Sequence, residues 1–260
     1  MVSLSVCLRT LAVSFLCTFL SVAVPAQETR DPKAVAVAES MMEAMGGQKA
    51  WNNTHYIRYD FVVKSGTETR ASRSHLWDKW TGLYRLEQTT KDGKQSVVLF
   101  SANTQQGTAY LDGKALTGED AAKALKGAHG TFINDMYWLS MPWKWLDAGV
   151  NLKYAGEQQY KGAAADVVEL SFGKVGLTPG DRYRAFVSRA NKLMTHWEYT
   201  LQSGNKGSWD WEYTLVGGVR LARTHTNAEG MEISMGNVRV FREVDPAYFT
   251  DAAKGLSNLK

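Results

Sequence analysis

Five histidines are the first candidates for chemistry: His55, His75, His129, His196 and His225. They are scattered, with no spacing that would make a metal-ligand pair. The chain contains no G-x-S-x-G elbow, no H-E-x-x-H, no glycine-rich phosphate loop and no dinucleotide fingerprint. The best acid–base groups are Glu198, Asp210 and Glu212, with His196 beside them. Strand alternation puts His196 and Glu198 on one face, and Asp210 and Glu212 on one face of the next strand. Aligned in a hairpin, these faces would bring carboxylates and an imidazole together, and paired carboxylates suit glycoside hydrolysis. The opposite faces are apolar: Leu193, Trp197, Tyr199 and Leu201, then Trp209, Trp211 and Tyr213. The expected arrangement is therefore a solvated outer face backed by a buried aromatic one. A hydrolase or small-molecule enzyme using His196, Glu198, Asp210 and Glu212 is the alternative. Neither a cofactor nor a metal is expected.

Aromatic density is the positive signal. The chain has nine tryptophans. Trp197, Trp209 and Trp211 fall on inward strand faces, and Trp138, Trp143 and Trp145 lie in a central insert. That insert packs Phe132, Ile133, Met136, Tyr137, Trp138, Met141, Trp143 and Trp145 into fourteen positions. Such a density exceeds what a short cover needs unless it meets something greasy, and methionine is an adaptable lining for apolar ligands. The expectation is an apolar cavity between a curved sheet and this lid. Its ligand-binding residues would be Phe132, Met136, Tyr137, Met141, Trp143, Trp145, Trp197, Tyr199, Trp209 and Trp211. Pro142 should end the preceding helix, leaving Trp143 and Trp145 in an extended segment with both indoles facing one way.

The elements that must position these groups can be read from periodicity. Asp31-Pro32 opens a helix with Val35, Ala38, Met42 and Met45 on one face, stopped by Gly46-Gly47. A short helical turn around Gln48–Asn52 follows. From Thr54 the period changes to two. Strands are expected from there to Val63 and over Ser72–Trp80, Leu83–Gln88, Ser96–Ser101 and Thr108–Leu111. Asp92-Gly93 and Asp112-Gly113 are hairpin signals. Thr117-Gly118-Glu119-Asp120 resembles a capping box, followed by a short helix at Ala121–Lys126 and a second helical stripe from Phe132. Strands resume at Val150–Tyr154, Ala165–Phe172, Arg182–Ser188, Leu193–Leu201, Ser208–Thr214, Val219–Thr226 and Met231–Arg242. The reading is mainly β (α+β): about ten to twelve antiparallel strands in a strongly curved sheet or half-open barrel, with an N-terminal helix and a helical lid.

The first residues predict export. Residues 1–26 hold one base, Arg9, and no acid, and an apolar run from Leu11 to Val24 ends in Val24-Pro25-Ala26. That is a signal peptide with small residues at the cleavage site, and the run is short for a spanning helix. Phe15 and Leu16 stand before Cys17, where a lipoprotein signal needs small residues. Residues 27–260 would form one domain, exported to the periplasm as such signals imply, with no membrane anchor after cleavage. Both cysteines, Cys7 and Cys17, lie in the leader, so that domain has no thiol. Losing Arg9 lowers the formal charge of +4 by one. The charges are interspersed, which argues against nucleic-acid binding. A domain of about 230 residues can bury a core without disulfides. Oligomeric state is not legible.

With those elements in place, the chain resembles a known group. A helix ending in Gly46-Gly47, Trp51 soon after, and a long meander broken by a helical stretch resemble the fold of bacterial outer-membrane lipoprotein-sorting proteins, the Lol-type carriers and receptors. Phe132–Trp145, with Leu177-Thr178-Pro179-Gly180-Asp181 and Trp197-Glu198-Tyr199, resembles a family of exported bacterial proteins of unknown function. The resemblance implies a half-barrel closed by helices around acyl chains, and hence a carrier for a hydrophobic small molecule, lipid or lipoprotein.

Overall fold

The structure is a computed structural model that describes residues 29–173 and 178–259. The leader, its two cysteines and Leu177 lie outside the described residues. Helix α1 (Pro32–Ala44) starts where Asp31 accepts a hydrogen bond from the Lys33 amide at 2.8 Å. Its buried face is Ala34, Ala38, Met41 and Met42. The chain then turns through Gly46, whose φ is +121°; a Cβ there would lie 2.2 Å from the Gly218 carbonyl oxygen, so only glycine fits. Helix α2 (Gln48–Asn53) follows.

Thirteen strands form one antiparallel sheet: β1 (Tyr56–Ser65), β2 (Glu68–Asp78), β3 (Leu83–Thr89), β4 (Gln95–Ser101), β5 (Gly107–Leu111), β6 (Lys114–Ala115), β7 (Val150–Tyr160), β8 (Ala163–Phe172), β9 (Arg182–Ser188), β10 (Met194–Thr200), β11 (Lys206–Val216), β12 (Val219–Thr226) and β13 (Met231–Phe241). Their order is β6-β5-β4-β3-β2-β1-β13-β12-β11-β10-β9-β8-β7. Two meanders are thus joined along one seam, where β1 pairs with β13. β6 and β7 are the two edges and do not pair, so the sheet does not close into a barrel. The strand count exceeds the expected range because β6, only two residues long, gives no periodicity to read.

Helix α3 (Gly118–Ser140) connects those two edges. At 1.5 Å per residue its 23 residues reach roughly 34 Å, less than the roughly 57 Å that thirteen flat strands would span, so the loops on either side of the helix and the curvature of the sheet make up the difference. The sequence suggested two helical pieces; the structure has one continuous helix. Gly127 and Gly130 weaken its middle intrinsically, but Ala128, Phe132 and Met136 are buried on its sheet-facing side, and tertiary burial overrides the propensity. Thr117 holds the N-cap position without a side-chain cap bond, so the expected capping box does not form. Pro142 follows the helix end, as expected, but Met141–Lys144 form a 3-10 turn rather than an extended segment.

The inner face of the sheet carries the main core, with Ile57, Tyr59, Phe61, Leu152, Leu170, Trp197, Trp209 and Trp211 packed against α1 and the end of α3. A second core joins Tyr84, Leu86, Val98, Phe100 and Ala109 to Ala128, Phe132 and Met136 of α3. On the outer face, the C-terminal segment is clasped by the fully buried Arg85. Its guanidinium donates to the carbonyls of Tyr248, Asp251 and Ala252 at 2.8–3.0 Å and to Glu87 at 2.6 Å.

Candidate functional site

Trp138 is the centre of the aromatic site. It projects from α3 against four rings of the sheet: Trp197 at 4.8 Å, Trp209 at 5.2 Å, Trp211 at 6.2 Å and His225 at 5.0 Å between centroids. Strand alternation produces this arrangement. Trp197 pairs with Trp209 across the β10–β11 ladder, Trp211 is opposite His225 across β11–β12, and all four side chains point inward. Tyr137 extends the cluster toward Tyr183 at 5.9 Å and Trp197 at 6.2 Å, and Tyr199 approaches Trp197 at 6.1 Å. Such edge-on and offset contacts add to the apolar area buried.

Within this cluster several polar atoms lack partners. The indole nitrogens of Trp197 and Trp211 are buried without a hydrogen bond, and the buried His225 ring has only a weak approach to the Trp138 backbone. Burial pushes the His225 imidazole down to about 3, only partly countered by the nearby Trp138 backbone, so the ring is neutral. Each buried, unpaired donor or acceptor costs about 1–3 kcal/mol. Sequence reasoning found the tryptophans but missed Trp138 as their hub and His225 as their neighbour. For Trp138 the signal was available, since it is in the aromatic insert; for His225 it was not, because a bulge at the exposed Arg223 breaks the alternation of β12.

The other expected ligand residues are divided between positions. Phe132 and Met136 pack under α3 on the second core, where Phe132 meets Tyr84 at 4.6 Å and Trp77 at 5.7 Å. Met141, Trp143 and Trp145 lie in the main core rather than at an open mouth. Trp143 stacks on Trp51 at 5.0 Å and 8°, and its indole N–H donates to the Arg220 carbonyl at 2.9 Å. The Trp145 N–H points to the Met141 sulfur. The 3-10 turn replaces the extended geometry and sends the two indoles to separate partners.

The acid–base candidates do meet, on the outer face. His196 Nδ1 lies 3.0 Å from Asp210 Oδ1, with His196 and Asp210 directly opposite in the ladder. Tyr160 stacks on His196 at 4.1 Å and donates to Asp210 at 2.6 Å, and Lys161 pairs with the same carboxylate. Burial works to raise the Asp210 carboxyl, but hydrogen bonds from Lys161, Tyr160 and His196 outweigh it and hold it below the usual range. Burial also holds His196 below its ordinary value. Glu198 is taken by Arg184 at 2.8 Å, and Glu212 is exposed. A carboxyl held ionised by three donors is not a proton donor at neutral pH. A cleft of about 950 Å3 does cross this face, but its lining is a charge ladder, Lys153–Glu169–Arg184–Glu198, in successive register across β7 to β10. Among the described residues, no cluster of three or more His, Cys, Asp or Glu could hold a metal.

The fold has solved counterparts. A DUF1329-family protein from Desulfovibrio piger is 15% identical with a TM-score of 0.50, over 85% of this chain and 98% of that one. An outer-membrane lipoprotein-sorting protein domain from Vibrio parahaemolyticus overlaps 85% of this chain and 97% of its own, at 11% identity and a TM-score of 0.47. A LolA-superfamily protein from Nitrosomonas europaea overlaps 85% and 98%, at 12% and 0.48. No protein-family model matches the chain, and no curated protein matches it. The class defined here is an open antiparallel sheet bridged from edge to edge by a helix, the fold of the Desulfovibrio piger protein. Among the described residues, no helix is long and apolar enough to cross a membrane.

Proposed function

We propose that this protein is an envelope carrier that binds a hydrophobic ligand, an acyl chain of a lipid or lipoprotein, between α3 and the inner face of the sheet. The observation that carries the proposal is the position of Trp138. One indole from the bridging helix fills the space among Trp197, Trp209, Trp211 and His225. If α3 lifts, that indole leaves an aromatic slot with unpaired N–H groups at its wall. An acyl chain would replace the buried apolar surface, which is worth about 25 cal/mol per Å2. Its ester or carboxyl oxygen would accept from the indoles. The resemblance of the sequence to Lol-type carriers points in the same direction, and the leader read from residues 1–26 would place the carrier outside the cytoplasm.

Titration with a long-chain fatty acid tests this. Tryptophan fluorescence should change with saturation, and Trp138→Ala, which vacates the slot, should bind the same fatty acid more tightly than the wild type. Binding that is absent from both proteins, or weakened by Trp138→Ala in a still-folded variant, would overturn the proposal.

A further inference from the structure

Three large apolar side chains stand exposed among the described residues: Trp80 (58%), Leu83 (41%) and Leu215 (62%). They come from two hairpins far apart in sequence, β2–β3 and β11–β12. Register brings both hairpins to one end of the sheet. β1 begins at Tyr56, opposite Asp78 of β2 and Phe241 of β13. Trp80 and Leu83 follow Asp78. His55, just before β1, stacks on Trp80 at 3.8 Å and meets the Arg242 carbonyl, just past β13, at 3.2 Å. Gly217, two residues after Leu215, lies against Val240 of β13; a Cβ there would be 2.8 Å from the Val240 Cβ. The two hairpins therefore flank the same strand ends.

The exposure of Trp80 is built in. Its N–H donates to the Asn52 carbonyl at 3.0 Å, and one ring face is covered by His55, itself stacked on Tyr56 and facing Asp78 at 3.2 Å. The other ring face is held toward solvent. The surrounding charge is mixed: Lys79, Lys49, Lys144 and Arg242 stand with Asp78, Asp147 and Glu243, and Asp78 is engaged by His55 and by the Trp80 and Thr81 amides. Lys79 lies 4.7 Å over the Trp51 ring and pairs with no carboxylate among the described residues. Its pKa is lowered by burial and then by Lys144, so two ammonium groups share this end. Lys49 and Arg242 are exposed nearby in sequence to Asn52 and Phe241, while Lys144 is matched by Asp147, and Glu243 is the other acid beside Arg242.

An exposed indole fixed at its N–H, two leucines and unmatched ammonium groups form a surface that is amphipathic in the manner of membrane-interface residues. We propose that this rim is where the protein docks on a bilayer bearing anionic headgroups, with Trp80, Leu83 and Leu215 entering the interface and Lys79, Lys49 and Arg242 lying at headgroup level. The proposal does not depend on an acyl ligand in the aromatic slot. Co-sedimentation of the full protein with vesicles tests it, using phosphatidylcholine alone and an equal mixture with phosphatidylglycerol. The protein should pellet with the mixed vesicles and far less with the neutral ones. Trp80→Ala with Leu215→Ser should lower the pelleted fraction roughly tenfold. Leu215→Ser alone, at an exposed hairpin tip, should lower it severalfold with an unchanged melting curve. Equal pelleting of both vesicle types, no pelleting with either, pelleting of the folded Leu215→Ser variant equal to wild type, or full competition by soluble glycerophosphate would each overturn the proposal.

Discussion

Arg73 of β2 and Asp135 of α3 meet in a two-pronged ion pair, 2.7 and 3.0 Å, with the carboxylate fully buried beneath the helix. His75 Nε2 adds a contact at 3.2 Å to the same carboxylate, and its Nδ1 lies 2.9 Å from the Tyr84 hydroxyl, which in turn touches the Tyr59 hydroxyl at 2.9 Å. This chain of polar groups fastens the bridging helix to β1, β2 and β3 between the two apolar cores. Burial holds His75 below its ordinary pKa despite the neighbouring carboxylate.

Removing one partner of that pair should be costly. Asp135→Ala leaves Arg73 and His75 facing an apolar gap, and the expected loss is about 3–5 kcal/mol. Denaturant unfolding of Asp135→Ala, Arg73→Ala and the double variant measures the coupling. A double variant no worse than either single one is the expected result; strictly additive losses would show that the pair does not act as a unit.

Trp145 should matter to the fold more than to a ligand. It is fully buried and its N–H is directed at Met141. Trp145→Ala should cost about 3–5 kcal/mol by cavity formation, measurable as a lower denaturant midpoint, with fatty-acid affinity unchanged in whatever fraction remains folded.

Acid should destabilise the protein, and His225 should account for much of the slope. Its folded pKa of about 3 lies below the ordinary 6.5. Between those values the unfolded chain binds a proton that the folded chain refuses. Stability therefore falls as pH drops through that window, by about 1.4 kcal/mol per pH unit for one group. His75 and His196 are lowered too and contribute with the same sign. Unfolding free energies at pH 7 and pH 5 should differ by about 2 kcal/mol less in His225→Phe than in wild type. An identical difference in both proteins would assign the slope to other groups.

Export predicts a defined start. N-terminal sequencing of the protein recovered from its native compartment should begin at Gln27, after Val24-Pro25-Ala26. Two residues later the chain is already tied to the sheet: the Thr29 amide donates to the Asn151 side chain at 2.8 Å, and Arg30 forms a bridge to Leu152 of β7. A recovered protein that still carries Leu11–Phe19 would refute the leader.

Much of the fold was legible because alternation is a strong signal where one face is buried. Ile57, Tyr59 and Phe61 alternate inward, and Trp197, Trp209 and Trp211 fall on the inner face as their positions require. Asp31-Pro32 and Gly46-Gly47 bracket α1 with local chemistry alone. What could not be read depends on distant partners. The Met141–Lys144 turn follows from Trp143 stacking on Trp51, a residue some ninety positions earlier, and no local pattern encodes that contact. A bulge between Met194 and His196 makes Met194 a core residue where strict alternation favoured Leu193. Arg85 reads as a surface base in its strand, yet it is the clasp for a C-terminal segment whose carbonyls carry no sequence signature.

The seam between β1 and β13 joins Tyr56 to Phe241 and Ser65 to Met231. Every other strand pairing lies between neighbours along the chain, so each meander can assemble from local hairpins, while the seam must wait for loop closure across all the strands from β2 to β12. A chain threaded through a translocation channel from its N-terminus would emerge with β1 lacking its final neighbour until the last strand arrived. In that interval β1 would expose a bare ladder on one side, and the order of emergence itself would keep the molecule pliable until translocation was nearly complete.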